Sequence, residues 1–395
     1  MLEKARSLQQ QMITWRRDFH MYPELSFAEV RTASKIAEIA AEIGYRVRTG
    51  VGKTGVVAEI GEGKPVVAIR ADMDALPISE SNKVPYKSKT KGVMHACGHD
   101  VHIAIALGAA KLLSQENFPG IVRFIFQPAE EVEDEEGLSG APRMIEDGAI
   151  KDVSCVLALH VDASLNTGEI KIATEYASAG VDTFYIKILG KGGHGSTPHK
   201  VIDPIFISGH LILAIHGIVS RRLRPFDPAV ISIGTIQGGQ LSNVISEEVN
   251  LSGTIRFLNP IVQQSIHTEI ENFCQITRAM GGDYELKIQV GYPPMHNHIE
   301  TVDLLKSVAA DLIGNNNIIT PETEMGAEDF GFFLQKTKGA MFMLGCKIEG
   351  DTRRHHDPKF DVNENCMPIG AAIFSQTALR ILRKPISTIH RDVII

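Results

Sequence analysis

No stretch of this chain long enough to span a membrane is apolar without interruption. Its most apolar stretch, VIDPIFISGHLILAIHGIVS, carries Asp203, Pro204, His210 and His216, which a membrane span of roughly 20 residues rarely tolerates. It reads as a buried helix of a folded domain, and no membrane partner is expected. A basic stripe is missing too: 40 Lys and Arg stand against 47 Asp and Glu, a formal charge of −7, and the cations are scattered. That argues against a nucleic-acid surface and for small-molecule partners. The first twenty residues, MLEKARSLQQQMITWRRDFH, are polar and helix-prone with no apolar core, so they do not read as a signal peptide and a cytoplasmic location is expected. The five cysteines, Cys97, Cys155, Cys274, Cys346 and Cys366, are odd in number and dispersed, which excludes a disulfide framework in such a chain. Any special cysteine is then chemical in its role. No low-complexity linker and no repeat of fixed period occurs, so a solenoid or propeller is excluded.

What is present is an ordinary globular composition, 44% hydrophobic and 22% charged over 395 residues, long enough for two domains. From residue 1 to about 175 amphipathic helices alternate with short apolar runs, the pattern of an α/β fold with a mostly parallel sheet covered by helices. Candidate strands are Val66 to Arg70, Ile121 to Gln127 and Ser154 to His160. One helix follows Glu24-Leu25-Ser26 with Ser26 as N-cap, and another follows Asp100 into VHIAIALGAAKLL. From about 180 the texture changes to longer alternating strands, VDTFYIKILG, AVISIGTIQGG, VNLSGTIRFL and YELKIQVGYP, with helical stretches near 203–222 and 261–280. The order strand, helix, strand, strand, helix, strand predicts an inserted α+β domain at 180–292, a four-stranded antiparallel sheet with two helices on one face. The first domain is then discontinuous, 1–179 with 293–395, closing with a helix from about Cys366 to Arg383 and a tail, KPISTIHRDVII, that carries no reading.

Open α/β sheets build their sites outside the carboxyl ends of the strands. Here Val66 to Arg70 runs into Ala71-Asp72-Met73-Asp74, Ile121 to Gln127 runs through Pro128-Ala129 into Glu130-Glu131, and Ser154 to Leu159 ends on His160. In HACGHDVH, Cys97 and His99 lie two apart just before a helix, close enough to reach one metal centre. Taken singly, Cys97 is as readily a small buried residue and His99 a capping one, and a lone His160 is more often a core histidine bonded to backbone. Glu130 and Glu131 are adjacent, so an extended segment sends their side chains apart, one toward a metal and the other toward the water it activates; Glu133, Asp134, Glu135 and Glu136 after them read as a solvated acidic loop. His355 and His356 in RRHHDPKF offer one more ligand or a surface turn. In the insert, His194 sits in the glycine-rich KGGHGSTPH, where backbone can approach a ligand. Asn243 and Arg256 could hold a substrate carboxylate, or be ordinary exposed strand residues.

The motifs RADMDALP (70–77), HACGHDVH (95–102), QPAEE (127–131), ALHV (158–161), GGHGSTPH (192–199) and HHDPKF (355–360) together resemble the aminoacylase and carboxypeptidase G type metallopeptidases. The cysteine in HACGH, with the opening WRRDFHMYPELSFAE (15–29), is similar to the branch of N-acyl-amino-acid amidohydrolases that includes hippurate hydrolases and plant auxin-conjugate hydrolases. The resemblance implies that Cys97, His99, Glu131, His160 and His356 are metal ligands and Glu130 the general base. His356 is preferred over His355 because it occupies the histidine of the family's His-x-Pro pattern. It also implies that the insert is a lid and dimerisation domain, with His194 polarising the scissile carbonyl and reaching the site from a partner subunit in such dimers. Ser246, where the family usually has proline, and Gly195-Ser196, where small alanines are common, depart from the pattern. Neither touches the proposed metal shell.

Five such ligands, one a thiolate able to bridge, imply two divalent ions, with Mn²⁺, Zn²⁺, Co²⁺ and Ni²⁺ all admissible. The expected reaction is hydrolysis of the amide bond of an N-acyl amino acid (N-acetyl, N-benzoyl or indole-acetyl) by a metal-activated water, with Glu130 moving its proton to the leaving amine. Dipeptidase or carboxypeptidase action is the neighbouring alternative. Cysteine nucleophile catalysis by Cys97 with His99 as base leaves Glu130, Glu131, His160 and His356 without a task, and a non-catalytic metal-binding homologue would lack a ligand or base, whereas every position is filled.

Overall fold

A computed structural model describes residues 1–321, 324–350 and 352–384, and the chain forms two compact units, each considered by itself. One comprises Met1–Ala177, His296–Glu322 and Asp329–Ile395; the other comprises Ser178–Met295 and Thr323–Glu328. The tail at 385–395 lies outside the described residues.

The first unit is built on an eight-stranded sheet. Its centre is four parallel strands in the order Gly120–Gln127, Val66–Asp72, Val153–Asn166 and Gly339–Lys347. All seven residues of Val66–Asp72 are buried, as a strand covered on both faces requires. One edge is antiparallel, Gly55–Glu62 and then Arg46–Val51; the other carries the two short strands Ile170–Lys171 and Ile318–Ile319. The strand that sequence pattern ends at His160 continues to Asn166, so His160 sits inside it. The pairing Arg70 with Ala158 nevertheless brings His160 level with Asp72, the last residue of the neighbouring strand.

Helix His99–Leu113 is buried at every position except Lys111, because Ala104, Ala106, Gly108, Ala109 and Ala110 let its neighbours approach closely. A Cβ on Gly108 would lie 2.4 Å from Met12 Sδ. The helix begins at His99, after the left-handed Gly98 (φ +95°). Any side chain there would meet Val161 Cγ2 at 2.3 Å, so glycine fixes how Cys97 turns into the helix. Arg16, buried on helix Gln9–Met21, pins this first turn: Nε donates to Asp100 Oδ2 at 2.8 Å, Nη2 to Asp361 Oδ1 at 2.9 Å and Nη1 to Glu364 Oε1 at 3.2 Å. His20 Nδ1 donates to the same Asp100 oxygen at 2.8 Å.

Ser26 is not an N-cap. Helix Val30–Ile43 starts four residues later and is capped from a distance by Glu24, whose oxygens accept the Arg31 and Thr32 N–H groups at 3.1 and 2.8 Å. The Ser26 hydroxyl is thereby released to donate to Asp74 Oδ2 at 2.7 Å.

The second unit holds an antiparallel sheet ordered Ala229–Gly238, Glu248–Phe257, Gly180–Leu189, Asp283–Val290. Its core joins Phe184, Ile186, Ile188, Leu251 and Ile255 to helix residues Ile207, Leu211, Ile215, Ile218, Val262, Ile266 and Ile270. Helix Pro204–Arg221 has proline first and Asp203 as N-cap, whose Oδ1 accepts from Ile205 N–H at 2.9 Å and Phe206 N–H at 3.3 Å. The expectation of a buried helix is half right. It is long and apolar enough for a membrane span by composition, yet only the Ile207, Leu211, Ile215, Ile218 face is covered, and Ile205, Phe206 and Leu213 are exposed. Sequence texture also shows no sign that the segment ending at Glu328 joins this unit; Ala179 N–H donates to Gly326 O at 2.7 Å and Arg256 Nη1 to Met325 O at 2.8 Å.

Arg16→Met leaves three carboxylates around an apolar side chain, so unfolding free energy should fall by about 3–5 kcal/mol, read as a lower urea midpoint. An unchanged midpoint would show that the cluster stabilises nothing.

Candidate metal centre

Side chains from strand Val153–Asn166, from the turn after strand Gly120–Gln127 and from the start of helix His99–Leu113 meet at one place. Among the described residues of the first unit, four groups have ligand atoms mutually within 4.8 Å: Cys97, His99 and His160; Cys97, Glu131 and His356; His99, Glu130 and Glu131; and Asp72, His99 and His102. Cys97 and His99 link them. Cys97 Sγ lies 3.4 Å from His160 Nε2, and Glu131 Oε1 lies 3.3 Å from His356 Nε2 and 4.0 Å from His99 Nε2. Glu130 is buried beside them.

Hydrogen bonds decide which of these atoms remain open. His99 Nδ1 donates to Asp74, with the backbone oxygen at 2.9 Å and Oδ1 at 3.1 Å, so Nε2 is the free end. It is buried without a hydrogen-bond partner, and so is Glu131 Oε1. His160 Nδ1 donates to Val161 O at 2.8 Å and turns its Nε2 to Cys97. His102 is different: Nε2 accepts Val161 N–H at 2.9 Å, so Nδ1 carries the proton and donates to Asp72 Oδ1 at 2.5 Å. Asp72 Oδ2 accepts from Arg70 Nη1 at 2.6 Å. Asp72 and His102 are spent on each other and their neighbours, and neither offers an open ligand atom despite its position.

The open atoms fit a divalent metal. Burying polar atoms without partners is costly, and here two such atoms face a buried thiol and a second imidazole. Burial pushes the Cys97 thiol well above its ordinary value and His160 well below. A thiol in that state is a poor unaided nucleophile, whereas a dication would both draw off its proton and occupy the unpaired nitrogen and oxygen atoms.

Of the two adjacent histidines the structure turns His356 to Glu131, from a left-handed backbone (φ +65°) tied by its N–H to Ala96 O at 2.8 Å. His355 packs on the His160 and Phe360 rings, and burial lowers it to about 4.

The segment after Gln127 is not extended. Ala129 is left-handed, φ +45°, and the turn brings an oxygen of both Glu130 and Glu131 within 4.8 Å of His99 rather than parting them. A left-handed residue with a Cβ costs roughly 1–2 kcal/mol, and Ala129 is held on both sides: its N–H donates to Glu29 Oε1 at 2.9 Å and its oxygen accepts Gly140 N–H at 2.8 Å. Asp134 is likewise no solvated acid. It accepts from Lys53 Nζ at 2.6 Å, Arg143 Nε at 2.9 Å and the backbone N–H of Glu136 and Leu138, shaping the loop.

In the second unit His194 pairs with Val244 in a two-stranded ribbon, and Gly195 N–H donates to Asn243 O at 2.8 Å, so His194 and Asn243 are neighbours. Ser196 N–H donates to His194 Nδ1 at 3.1 Å, with Ser196 Oγ 2.7 Å away; Nδ1 is the acceptor and Nε2 carries the proton. Arg256 gives one guanidinium nitrogen to Met325 O.

Sequence reasoning missed the holders: Asp74, the Asp72–His102 pair and Glu29. Asp72 and Asp74 are marked by their place at the end of a buried strand and in RADMDALP, and Glu29 only as the last residue of WRRDFHMYPELSFAE, neither of which reveals a holding role.

An α/β scaffold with open thiol, imidazole and carboxylate donors beside a second buried glutamate, Glu130, defines a metallohydrolase class of site. The chain belongs to peptidase family M20/M25/M40, whose sequence pattern matches residues 68–380. It is 37% identical to the N-acetyl-L-cysteine deacetylase of Bacillus subtilis over 95% of this chain and 89% of that protein. It is 36% identical to the IAA-amino acid hydrolase ILR1-like 2 of Arabidopsis thaliana over 95% and 86%, and 39% identical to thermostable carboxypeptidase 1 of Saccharolobus solfataricus over 96% and 98%. Among solved structures it matches a dinuclear metal-binding M20 peptidase of Bacillus subtilis with a TM-score of 0.83 at 33% identity, over 95% of this chain and 99% of that one.

A Cβ on Gly140 would lie 1.6 Å from Pro128 O. Gly140→Ala should therefore force the Glu130 turn apart and destabilise the fold by about 1–3 kcal/mol or more, measured by chemical denaturation.

Proposed function

We infer that this protein is a metal-dependent amidohydrolase that cleaves the amide bond of N-acyl amino acids to a carboxylic acid and a free amino acid. The observation that carries this is the buried His99 Nε2, which has no hydrogen-bond partner, beside the buried Glu131 Oε1, whose neighbour at 3.3 Å is the further candidate ligand His356; both face Cys97, with Glu130 alongside. The likeness to a deacetylase of N-acetyl-L-cysteine and a hydrolase of IAA-amino acids supports the substrate class. The likeness to a carboxypeptidase keeps peptide cleavage as the second reading.

Cys97, His99, Glu131, His160 and His356 would hold two divalent ions, with Mn²⁺, Zn²⁺, Co²⁺ and Ni²⁺ compatible with such mixed donors. When bound, these ions polarise the scissile carbonyl and make water acidic near neutral pH. Glu130 takes the proton from the attacking water on its carboxylate and passes it to the leaving nitrogen, so amine and acid both leave with closed valences. His194, with its Nε2 proton fixed by the Ser196 N–H, donates to the carbonyl oxygen as negative charge develops there. Asn243 and Arg256 bind the substrate carboxylate and its polar neighbours. Five free, buried cysteines suit a reducing, cytoplasmic setting.

The discontinuous unit is the catalytic domain in this reading and 180–292 the lid. The lid also serves as the surface of a homodimer: Phe206 at 61% and Leu213 at 75% exposure lie on the outer side of helix Pro204–Arg221, an apolar face of the kind monomers rarely leave open.

Chelation should abolish release of free amino acid from N-acetyl, N-benzoyl or indole-acetyl substrates, and a resupplied ion should restore it. Glu130→Gln should retain metal, measured by elemental analysis, yet lose about 10²–10⁴ in kcat; normal turnover would remove the assigned role, and cleavage of dipeptides alone would move the protein to the second reading. Leu213→Asp should convert a dimer into monomers in sedimentation velocity without lowering melting temperature, because its side chain adds nothing to the core of its own unit.

A further inference from the structure

Glu29 is a carboxylate with no exposure, in a segment remote in sequence from every proposed ligand. Nothing in the proposed chemistry uses it. Its Oε1 accepts the N–H of Ala129 at 2.9 Å and its Oε2 the hydroxyl of Thr54 at 2.5 Å. Thr54 begins no strand of its own; it lies in the tight turn between Arg46–Val51 and Gly55–Glu62, so Glu29 bridges that turn to the one bearing Glu130 and Glu131.

Ala129 is the residue whose left-handed backbone directs both following carboxylates to His99. Alanine resists that conformation, and the strand ahead of it, Gly120–Gln127, would by default continue extended. Its carbonyl is fixed by Gly140 N–H, but a bond at the carbonyl alone leaves the preceding peptide plane able to rotate, and rotation about that plane is what converts left-handed to extended. The Glu29 carboxylate accepts the N–H on that plane. Removing it would bury an unpaired N–H and free the turn.

We propose that Glu29 is a positioning residue that locks the left-handed turn at Ala129 and so sets the placement of Glu130 and Glu131. The effect on hydrolysis rests on the amidohydrolase reading; the effect on metal affinity does not.

The test compares full-length wild type, Glu29→Ala, Glu29→Gln, and Glu29→Ala combined with Ala129→Gly, in two readouts: Zn²⁺ affinity by competition with a chromophoric chelator, and kcat and KM on an N-acetyl amino acid. Glu29→Ala should weaken Zn²⁺ binding tenfold to a hundredfold, in the range of supporting groups around metal ligands, and lower kcat at least as much with KM within about twofold. Glu29→Gln keeps an amide oxygen for Ala129 N–H and should stay within about threefold of wild type. Glycine adopts the left-handed backbone without help, so Ala129→Gly should recover most of the loss in the Glu29→Ala background. Wild-type Zn²⁺ affinity in Glu29→Ala would overturn the proposal, as would a loss that Ala129→Gly leaves untouched. If Glu29→Ala does not fold, Ala129→Gly should restore folding in that background, and a double variant that stays unfolded would overturn the proposal. A wild type that hydrolyses none of the substrates but shows this affinity pattern would sink the amidohydrolase reading while leaving the positioning role standing.

Discussion

The buried carboxylate of Asp74 holds the centre together. One oxygen accepts from the Ser26 hydroxyl at 2.7 Å and the Glu131 N–H at 3.1 Å, and the other lies 3.1 Å from His99 Nδ1. Three segments far apart in sequence thus meet on one charge: the loop before helix Val30–Ile43, the turn after Gly120–Gln127 and the start of helix His99–Leu113. Burial by itself would raise the Asp74 carboxyl, yet the bonds from His99, Ser26 and the Glu131 N–H hold it below its ordinary range. A carboxylate so satisfied is worth keeping ionised, and its geometry is set by what it must bond. His99 is oriented as a consequence, because a ring that gives Nδ1 to Asp74 can present only Nε2 forward.

Behind Asp74 lies a second layer with the same logic. Arg70 is a charge inside a fully buried strand, and each of its guanidinium nitrogens donates: Nε to Gln127 Oε1 at 2.8 Å, Nη1 to Asp72 at 2.6 Å and Nη2 to Asp329 at 2.9 Å. Gln127 and the Ser139 hydroxyl also donate to Asp329. Unpaired, any of these buried ions would be ruinous, and together they lace the carboxyl ends of adjacent strands. The cost of burying charge is thus turned into rigidity at the place where side chains must converge, and the groups proposed to hold a metal are aligned by the protein's own hydrogen bonds.

How much of this could be read from the sequence depends on the distance over which each residue acts. The strands VVAIRAD and GIVRFIFQ are legible because continuous burial leaves a continuous apolar run, and the insert's strands because alternation survives a half-covered sheet. Cys97, His99, Glu130 and Glu131 were legible as candidates because metal-type residues clustered at strand ends. Ser26 was misread as a cap because local spacing cannot reveal that Glu24 reaches back over the helix start and leaves Ser26 for Asp74. Glu130 and Glu131 were expected to part because an extended backbone was assumed; Ala129 carries no glycine to announce a left-handed turn. His160 was placed at the end of a strand that in fact runs on to Asn166, since ALHV and the residues after it stay apolar enough to continue pairing.

Proximity alone would have enlarged the centre wrongly, because Asp72 and His102 stand as close to His99 as the proposed ligands do. What separates them is whether an atom is already committed. Both His102 nitrogens and both Asp72 oxygens have partners within the protein, so recruiting either for metal would break a buried bond and leave its former partner bare. His99 Nε2 has no such commitment, and Glu131 Oε1 faces only His356, itself a candidate ligand, at 3.3 Å, so binding an ion there breaks no bond to the supporting residues. The same accounting weighs against Cys97 as an unaided nucleophile, because burial keeps its proton on. A cation resolves every one of these deficits at once.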